Sequence, residues 1–347
     1  MTNKEKSQIQ KEIIDSLTPK PYGRLLLAPR VGKTKMMIDL IKREKPESIL
    51  WVTPSSELAL NAIPEEFAFW KAKRYIKKLT TVTWMSLAKT EGTFDMVILD
   101  EEQYITEANI QNFINGKLKF EHIISMTGTQ TKHESKKDLY EMLGLKILVD
   151  LSINSAVDLG VLADYKISVL EIPMSTEKDI EAGNPKNRFM TSEVSQYSWL
   201  NRSAEEAMMN GDKNVMFKIF GRLRAIYNSP SKTKVAKMLT KYLPGKNLVF
   251  CGSIKQAEEV CENTYHSKTD NKNLLKFQNG EIDKISMVNS GGVGTTYKKI
   301  DNLIIAQVDS DKTGKTSQKI CRALLSQKNY QAHIWIICLM HTQDKKW

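Results

Sequence analysis

The sequence predicts an α/β protein of two domains, each built on a parallel β-sheet and joined by a helical connector. At about 100–200 residues per domain, a chain of 347 residues has room for two domains that each bury a core. Short apolar runs alternate with amphipathic stretches in both halves, a pattern typical of parallel strands covered by helices on both faces. Between the halves, a segment that is first polar and then helical interrupts the alternation.

Four apolar runs in the first half predict buried strands, because each is short, rich in branched residues and bounded by polar ones. They are Arg24–Ala28, Ser48–Thr53, Phe94–Leu99 and His122–Met126. The stretches between them predict helices, notably Lys33–Lys42 and Ser56–Phe69. We therefore expect the first domain to span residues 1–168.

The middle of the chain breaks this pattern. Gly183-Asn184-Pro185 favours a loop, and Glu193–Tyr227 predicts helix, so we expect a linker and helical connector over residues 169–232. The alternation then resumes, which predicts a second domain over residues 233–347. Its expected strands are Asn247–Cys251, Lys284–Asn289, Asn302–Ala306 and His333–Cys338.

Composition excludes several classes of protein. Hydrophobic content of 41% and charged content of 26% argue against disorder and fibrous architecture. No apolar run approaches the roughly 20 residues of a membrane span, and the polar N-terminus does not resemble a secretory signal. The four cysteines lack metal-site spacing. We expect a cytoplasmic protein with reduced thiols and no membrane partner.

The net charge of +11 fits a polyanionic partner, but a lysine-rich solvated surface would give the same value. The same two interpretations apply to the basic runs Lys71–Arg74 and Lys77–Lys78. These residues either contact phosphates or form a solvated helix face. Charge alone does not choose between nucleic acid and solvent.

A phosphate-binding loop is predicted where the first strand runs into Gly32-Lys33-Thr34 at the start of a helix. Backbone N–H groups and the positive helix end suit phosphates, Lys33 suits the β- and γ-phosphates, and the Thr34 hydroxyl suits Mg²⁺. Leu27 stands where the full pattern has its first glycine, and a chance occurrence of this tripeptide at a helix start is the alternative. The predicted nucleotide contacts here are Arg30, Val31, Gly32, Lys33 and Thr34.

Two carboxylates follow the strand Phe94–Leu99. Asp100 suits Mg²⁺, partly through water, and Glu101 suits the role of orienting and deprotonating the water that attacks the γ-phosphate. Acidic pairs at strand ends are also common surface features. Together with the loop at Lys33, however, this pair indicates hydrolysis of ATP or GTP with Mg²⁺ as the metal.

The motifs resemble those of superfamily 2 helicases and translocases of the DExH/DEAD type. Asp100-Glu-Glu-Gln103 resembles motif II, with Gln103 where histidine is commoner. The resemblance implies that both domains are RecA-like and that the nucleotide is ATP. Within residues 7–17, Gln10 resembles the upstream glutamine that contacts adenine.

Further motifs follow in the family's order. Val52–Leu58 resembles motif Ia, Thr81–Leu87 resembles the strand and turn before motif II, and Met126–Thr129 resembles motif III. The resemblance places the nucleic-acid track across both domains, on the face away from the strand ends that hold ATP. The nucleic-acid contacts it implies in this half are Pro54, Ser55, Ser56 and Thr83, and the coupling residues are Gln103, Thr127, Gly128 and Thr129.

In the second half, Asn247–Ser253, Val288–Thr295 and Ser317–Leu325 resemble motifs IV, V and VI. They imply nucleic-acid contacts at Gly252, Ser253 and Thr295, and they add Gln318 and Arg322 to the catalytic residues Lys33, Asp100 and Glu101.

This half departs from the family pattern. Cys321 and Leu325 replace the glycine and second arginine of motif VI, and Gly291 and Gly294 stand where motif V is usually acidic. We expect Arg322 to be the arginine finger that this motif supplies, and hydrolysis to be slow or dependent on DNA-induced closure.

The sequence thus predicts a monomeric ATP-dependent translocase or helicase, acting on DNA rather than RNA through ATP-driven opening and closing of two domains. It looks most similar to small phage-type DNA helicases and type III restriction motor subunits, so we expect a bacterial or phage-infected cytoplasm. The degraded motifs V and VI support an alternative, a nucleotide-gated clamp or duplex translocase that does not separate strands. A metabolic P-loop kinase is disfavoured, since Gln318 and Arg322 would have no role in it.

Overall fold

The computed structural model describes residues 6–55, 58–128, 134–184, 186–288, 299–309, 315–321 and 331–346. Two compact units are present. The first contains the described residues up to Ala163, together with the helix Lys315–Cys321. The second contains the described residues from Asp164 to Asp309 and from Gln331 onward.

Six strands form the sheet of the first unit. They are β1 (Gly23–Leu27), β2 (Ser48–Thr53), β3 (Lys78–Thr83), β4 (Gly92–Asp100), β5 (Leu118–Thr127) and β6 (Ile147–Leu151). All neighbouring pairs are parallel, and the order is β3-β2-β4-β5-β1-β6. The strands therefore all end at one edge, which we call the carboxyl edge of the first sheet.

Helices cover both faces of this sheet, as a parallel sheet requires. They are α1 (Lys6–Ser16), α2 (Lys33–Glu44), α3 (Ile63–Phe69), α4 (Trp84–Leu87), α5 (Glu107–Ile114), α6 (Glu134–Met142) and α7 (Ile153–Asp158). A π-helical turn, Leu58–Ala62, precedes α3, and single 3₁₀ turns lie at Lys73–Tyr75 and Glu102–Tyr104. The central strand β4 is buried from Met96 to Leu99, so its apolar run faces helices on both sides.

The second unit repeats this architecture. Its sheet is parallel throughout, in the order β11-β12-β10-β13-β14-β7. The strands are β7 (Asp164–Ile172), β10 (Asn247–Cys251), β11 (Thr264–Tyr265), β12 (Lys284–Val288), β13 (Asn302–Ile305) and β14 (Gln331–Leu339). The predicted fold class, α/β with two parallel sheets, is confirmed.

The helices of the second unit are α8 (Glu193–Met209), α9 (Val215–Tyr227), α10 (Pro230–Tyr242), α11 (Ile254–Val260) and α12 (Lys272–Asn279), followed by a 3₁₀ turn at Gln343–Lys346. The last helix along the chain, α13 (Lys315–Cys321), groups with the first unit. Among the described residues, no helix has the length and apolarity of a membrane span.

The predicted linker and connector, residues 169–232, hold more regular structure than expected. Part of β7 and an antiparallel hairpin of β8 (Ile180–Asn184) and β9 (Asn187–Thr191) precede the helices α8 and α9. The expected domain boundary at residue 168 falls inside β7. All nine residues of β7 pair with β14, so the unit begins at Asp164. The residues of β7 belong to the second unit because the whole strand pairs with β14. The polarity of this part of the sequence did not indicate that pairing.

Candidate nucleotide site

The phosphate loop lies between β1 and α2 at the carboxyl edge of the first sheet. Gly32 caps the amino end of α2 with a left-handed φ of 96°, which glycine adopts without a steric penalty. Arg30 shares the left-handed region with a φ of 73°, which is unusual for a residue with a side chain. The turn thus directs the first N–H groups of α2 and the Lys33 side chain toward the carboxyl edge, where an anion is favoured.

Gln10 is hydrogen-bonded to the backbone of the phosphate loop. Its Nε2 donates to the carbonyl oxygen of Val31 at 2.7 Å, and Lys6 Nζ donates to the carbonyl oxygen of Arg30 at 2.6 Å. The Gln10 side chain is so close to Gly32 that a Cβ there would collide with it. The predicted adenine-contacting glutamine is therefore, in this structure, part of the packing that shapes the phosphate loop.

Lys33 and Glu101 form an ion pair across the carboxyl edge. The distance from Nζ to Oε1 is 2.6 Å, and both side chains are more than four-fifths buried. Burial alone would lower the pKa of Lys33, but the carboxylates of Glu101 and Asp100 outweigh it, so the pKa is raised. Burial alone would raise the pKa of Glu101, but the Lys33 charge lowers it. Both groups are therefore charged at neutral pH.

The positive charge near Asp100 does not fully offset the cost of burying its carboxylate. Burial, and after it the neighbouring Glu101, raise the pKa of Asp100 to about 7, although Lys33 acts in the opposite direction. A divalent cation at this carboxylate would supply the missing charge, and oxygen ligands suit Mg²⁺. Together with the Thr34 hydroxyl on the first turn of α2, Asp100 fits the metal of a Mg²⁺–nucleotide complex.

A chain of hydrogen bonds joins Glu101 to the end of β5. Gln103 Nε2 donates to Glu101 Oε2 at 3.0 Å, and Thr127 Oγ1 donates to Gln103 Oε1 at 2.8 Å. The backbone N–H of Gly128 also donates to Glu101 and contributes to its lowered pKa. The structure therefore brings together four residues predicted from motifs II and III. Thr129, also predicted from motif III, lies outside the described residues.

Glu101 and Gly128 both occupy constrained backbone positions. Glu101 is left-handed with a φ of 53°, which costs free energy in a residue with a side chain. A Cβ on Gly128 would lie 2.7 Å from Cγ of Pro29 in the phosphate loop, so a glycine is needed there. The motif III turn thus packs directly against the loop that it is predicted to sense.

Motif VI is only partly described. Helix α13 carries it, and its last residue, Cys321, is fully buried. Burial raises the pKa of the Cys321 thiol to about 12, although the cations of Arg30 and Lys33 act in the opposite direction. Cys321, which replaces the family's glycine, is therefore an uncharged thiol near the phosphate loop. The Gln318 side chain and Arg322 lie outside the described residues.

The predicted nucleic-acid contacts of the first unit are not on the face opposite the nucleotide. Pro54 and Ser55 follow β2, and Thr83 ends β3, so they lie at the same carboxyl edge as Lys33 and Asp100. Parallel strands put all their ends on one side, and the sheet order displaces these residues sideways, toward β3. Thr83 accepts a hydrogen bond from the N–H of Ser86 as the cap of α4. Ser56 lies outside the described residues.

In the second unit, Gly252 and Ser253 follow β10. Ser253 caps α11 by accepting a hydrogen bond from the N–H of Gln256 at 3.2 Å. A Cβ on Gly252 would lie 2.6 Å from Cβ of Tyr227, so this turn packs tightly against the end of α9. Thr295 lies outside the described residues.

The motifs did not reveal the buried ion pair between Arg24 and Glu102. Arg24 Nη2 lies 2.6 Å from Glu102 Oε1, with the two side chains 7% and 1% exposed. Ser125 also donates to this carboxylate, and the Arg24 guanidinium lies 4.1 Å from the centre of the Tyr140 ring. The pair ties motif II to β1 and β5. A charged residue inside the apolar run of β1 was the signal that could have indicated it.

Comparisons with known proteins agree with this fold. No protein-family model and no curated protein sequence matches the chain. The helicase domain of Hef from Pyrococcus furiosus has a similar structure, with a TM-score of 0.52, 12% identity, and coverage of 98% of this chain and 96% of that chain. The ATP-dependent type ISP restriction-modification enzyme LlaBIII, solved bound to DNA, has a TM-score of 0.59 and 12% identity.

The alignment with LlaBIII covers 99% of this chain but 28% of the restriction enzyme. Both likenesses show the fold, which is two RecA-like α/β units. The resemblance seen in the motifs is thereby confirmed at the level of the fold. The phage-type subgroup stays a prediction.

Proposed function

We propose that the protein is an ATP-hydrolysing nucleic-acid motor that acts on DNA. One observation carries the proposal: Lys33, Glu101, Gln103 and Thr127 form a continuous chain of polar contacts at the carboxyl edge of a RecA-like sheet. The solved complex of LlaBIII with DNA supports DNA as the polymer. We further propose that it acts as a monomer in the cytoplasm of a bacterium or a phage-infected cell.

Each residue of the site has a defined task in this proposal. The N–H groups at the start of α2 and the Lys33 ammonium bind the phosphates, and Thr34 and Asp100 would hold Mg²⁺. The metal, when bound, would neutralise charge on the phosphate oxygens. Lys33 can leave Glu101 to bind phosphate, which frees the Glu101 carboxylate to accept a proton from water. Gln103, which is hydrogen-bonded to both Glu101 and Thr127, then transmits a change at Glu101 to Thr127.

Loss of the Lys33 charge tests the assignment. Lys33→Ala should abolish DNA-stimulated ATP hydrolysis, because the phosphates lose their cation and Glu101 loses its partner. A matched control is Lys35→Ala, two residues further along α2, where the lysine pairs with Asp39 instead. Full activity of Lys33→Ala in a steady-state ATPase assay would remove this site from the mechanism.

The second candidate is a nucleotide-gated clamp or duplex translocase that hydrolyses ATP without separating strands. The buried Cys321 in place of the motif VI glycine favours it, since a neutral thiol stands beside the phosphate loop. A strand-displacement assay on forked DNA, run beside the ATPase assay, distinguishes the two. Hydrolysis without displacement selects the second candidate.

A further inference from the structure

Positive charge is concentrated in one stretch of the first unit. From Phe67 to Thr90 the chain has six cations and no carboxylate, so this stretch carries +6 of the net +11. The cations are Lys71, Lys73, Arg74, Lys77, Lys78 and Lys89. A stretch of this length with one sign of charge repels itself, so its persistence in a folded unit needs a physical reason.

Five of these cations lie together where the chain enters β3. We call them the basic edge: Lys71, Lys73, Arg74, Lys77 and Lys78, all of them exposed. Because β3 is the outermost strand of the first sheet, the basic edge borders the open side of the sheet. It lies at the amino end of β3, opposite the carboxyl edge that holds Lys33.

Carboxylates neutralise little of this charge. Lys77 pairs with Glu47 at 2.6 Å, but the two side chains are 75% and 66% exposed, and such pairs contribute little. For the other four cations, no carboxylate of the described part of the chain lies within 4 Å. Arg74 and Lys78 rest instead on the rings of Tyr75 and Phe94. The basic edge therefore presents uncompensated positive charge to solvent.

The basic edge and the proposed DNA contact Thr83 lie at opposite ends of β3. Lys78 opens β3 and Thr83 ends it, five steps later. At about 3.3 Å per residue this separation is about 17 Å, the length of about five nucleotides of one strand. Resting on the proposed function, we propose that the basic edge binds the phosphate backbone of DNA that continues beyond Thr83, along the open side of the first sheet.

Lysines on an outer strand have another known use, which is to prevent pairing with a second sheet. The two explanations predict different behaviour with salt. Phosphate contacts release counterions, so each one adds about 0.7 to the slope of log affinity against log salt for single-stranded DNA. Protection of the strand adds nothing to that slope and acts on aggregation instead.

The test compares two triple variants with the same change in charge. Lys73→Gln/Arg74→Gln/Lys78→Gln removes three cations of the basic edge. Lys268→Gln/Lys272→Gln/Lys276→Gln removes three exposed lysines of the second unit. Binding of fluorescent single-stranded DNA of about 6 and about 20 nucleotides is measured by anisotropy across a salt series.

For the longer DNA, the basic-edge variant should bind about tenfold more weakly at low salt, with a slope smaller by about 2. Its affinity for the shorter DNA and its ATPase rate at saturating DNA should match wild type. The control variant should keep the wild-type slope. If the basic-edge variant melts at a lower temperature, Lys71→Asn/Lys73→Gln replaces it, since asparagine tolerates the φ of 53° at residue 71.

The outcomes separate this inference from the function on which it rests. If wild type binds DNA and both variants share its slope, the basic edge is not a DNA site and the proposed function stands. In that case the basic-edge variant should aggregate more readily. If wild type binds no DNA of either length, both proposals fail.

Discussion

Lys33 and Glu101 form an ion pair, and this pairing explains how a buried carboxylate stays ionised. Desolvation penalises an isolated charge by several kcal/mol, so neither group would remain ionised without its partner. The same desolvation penalty raises the pKa of Asp100, because the charge of Lys33 offsets it only in part. At the scale of single residues, the site places two carboxylates, Asp100 and Glu101, beside the Lys33 ammonium.

His122 shows the opposite situation, a buried ionisable group outside the site. It is 3% exposed on β5, and neither ring nitrogen has a hydrogen-bond partner among the described residues. Burial lowers the pKa of His122, with Lys20 acting in the same direction. Three carboxylates oppose the shift without reversing it: Glu44, Glu121 and Asp95.

We therefore expect stability to fall below pH 6.5. The unfolded chain takes up a proton near pH 6.5, whereas the folded chain takes it up only at the lowered pKa of His122. Between these values the free energy of unfolding should fall by about 1.4 kcal/mol per pH unit. His122→Leu should flatten the dependence, and His341→Asn, at an exposed histidine, should not. Urea unfolding at pH 5–8 measures this, and a slope unchanged in His122→Leu would contradict it.

At the scale of elements, the site depends on which strand ends are neighbours. β4 and β5 are adjacent, so the turn after Asp100 meets the turn after Thr127, and Gln103 bridges them. Lys136 also donates to the carbonyl oxygen of Gln103, so the first turn of α6 joins the same group. This bridge joins Glu101 to the end of β5, and the proposed coupling would pass through it.

Breaking the bridge should uncouple hydrolysis from DNA. Gln103→Ala and Thr127→Val should each leave nucleotide affinity within about threefold of wild type but reduce stimulation by DNA about tenfold. Because both act on one chain of hydrogen bonds, the double variant should be no worse than either single one. Gln111→Ala, on the exposed side of α5, is the control. Additive losses in the ATPase assay would show that the two residues act separately.

Most of the strands that the apolar runs did not predict lie at the edge of a sheet. β6 and β7 are outer strands in which most residues are exposed, and polar residues interrupt their apolar ones. Continuous apolar runs indicate strands that are buried on both faces, such as β4. They do not indicate strands that have one solvated face. The boundary near residue 168 was displaced for the same reason.

At the scale of the whole molecule, the described residues of each unit include a deeply buried ion pair. Arg24–Glu102 fastens β1 to motif II in the first unit. Lys232–Asp344 joins α10 to the last described turn in the second, with both side chains fully buried. Removing one partner of such a pair leaves an uncompensated charge, which costs about 3–5 kcal/mol.

We expect the two losses to be confined to their own units. Arg24→Met should speed amide hydrogen exchange in β1, β4 and β5, and Lys232→Met should speed it in β10, β13 and β14. The doubles Arg24→Met/Glu102→Leu and Lys232→Met/Asp344→Leu should recover part of the stability, because no lone charge remains. Amide hydrogen exchange measured by mass spectrometry follows both units in one experiment. Equal acceleration in both units by either single variant would refute the confinement.

Local patterns in the sequence predicted the fold class and placed Lys33 and Asp100 at the ends of strands. Apolar runs are local, and the contacts of Lys33 and Asp100 follow from their positions at the ends of such runs. Pairing between distant strands was decided by the tertiary structure, because the order of strands in a sheet depends on contacts that no local pattern encodes. That order joined Gln103 to Thr127, buried Glu102 against Arg24, and set the basic edge along an open strand. The shared parallel direction of the strands put Pro54 and Thr83 at the carboxyl edge.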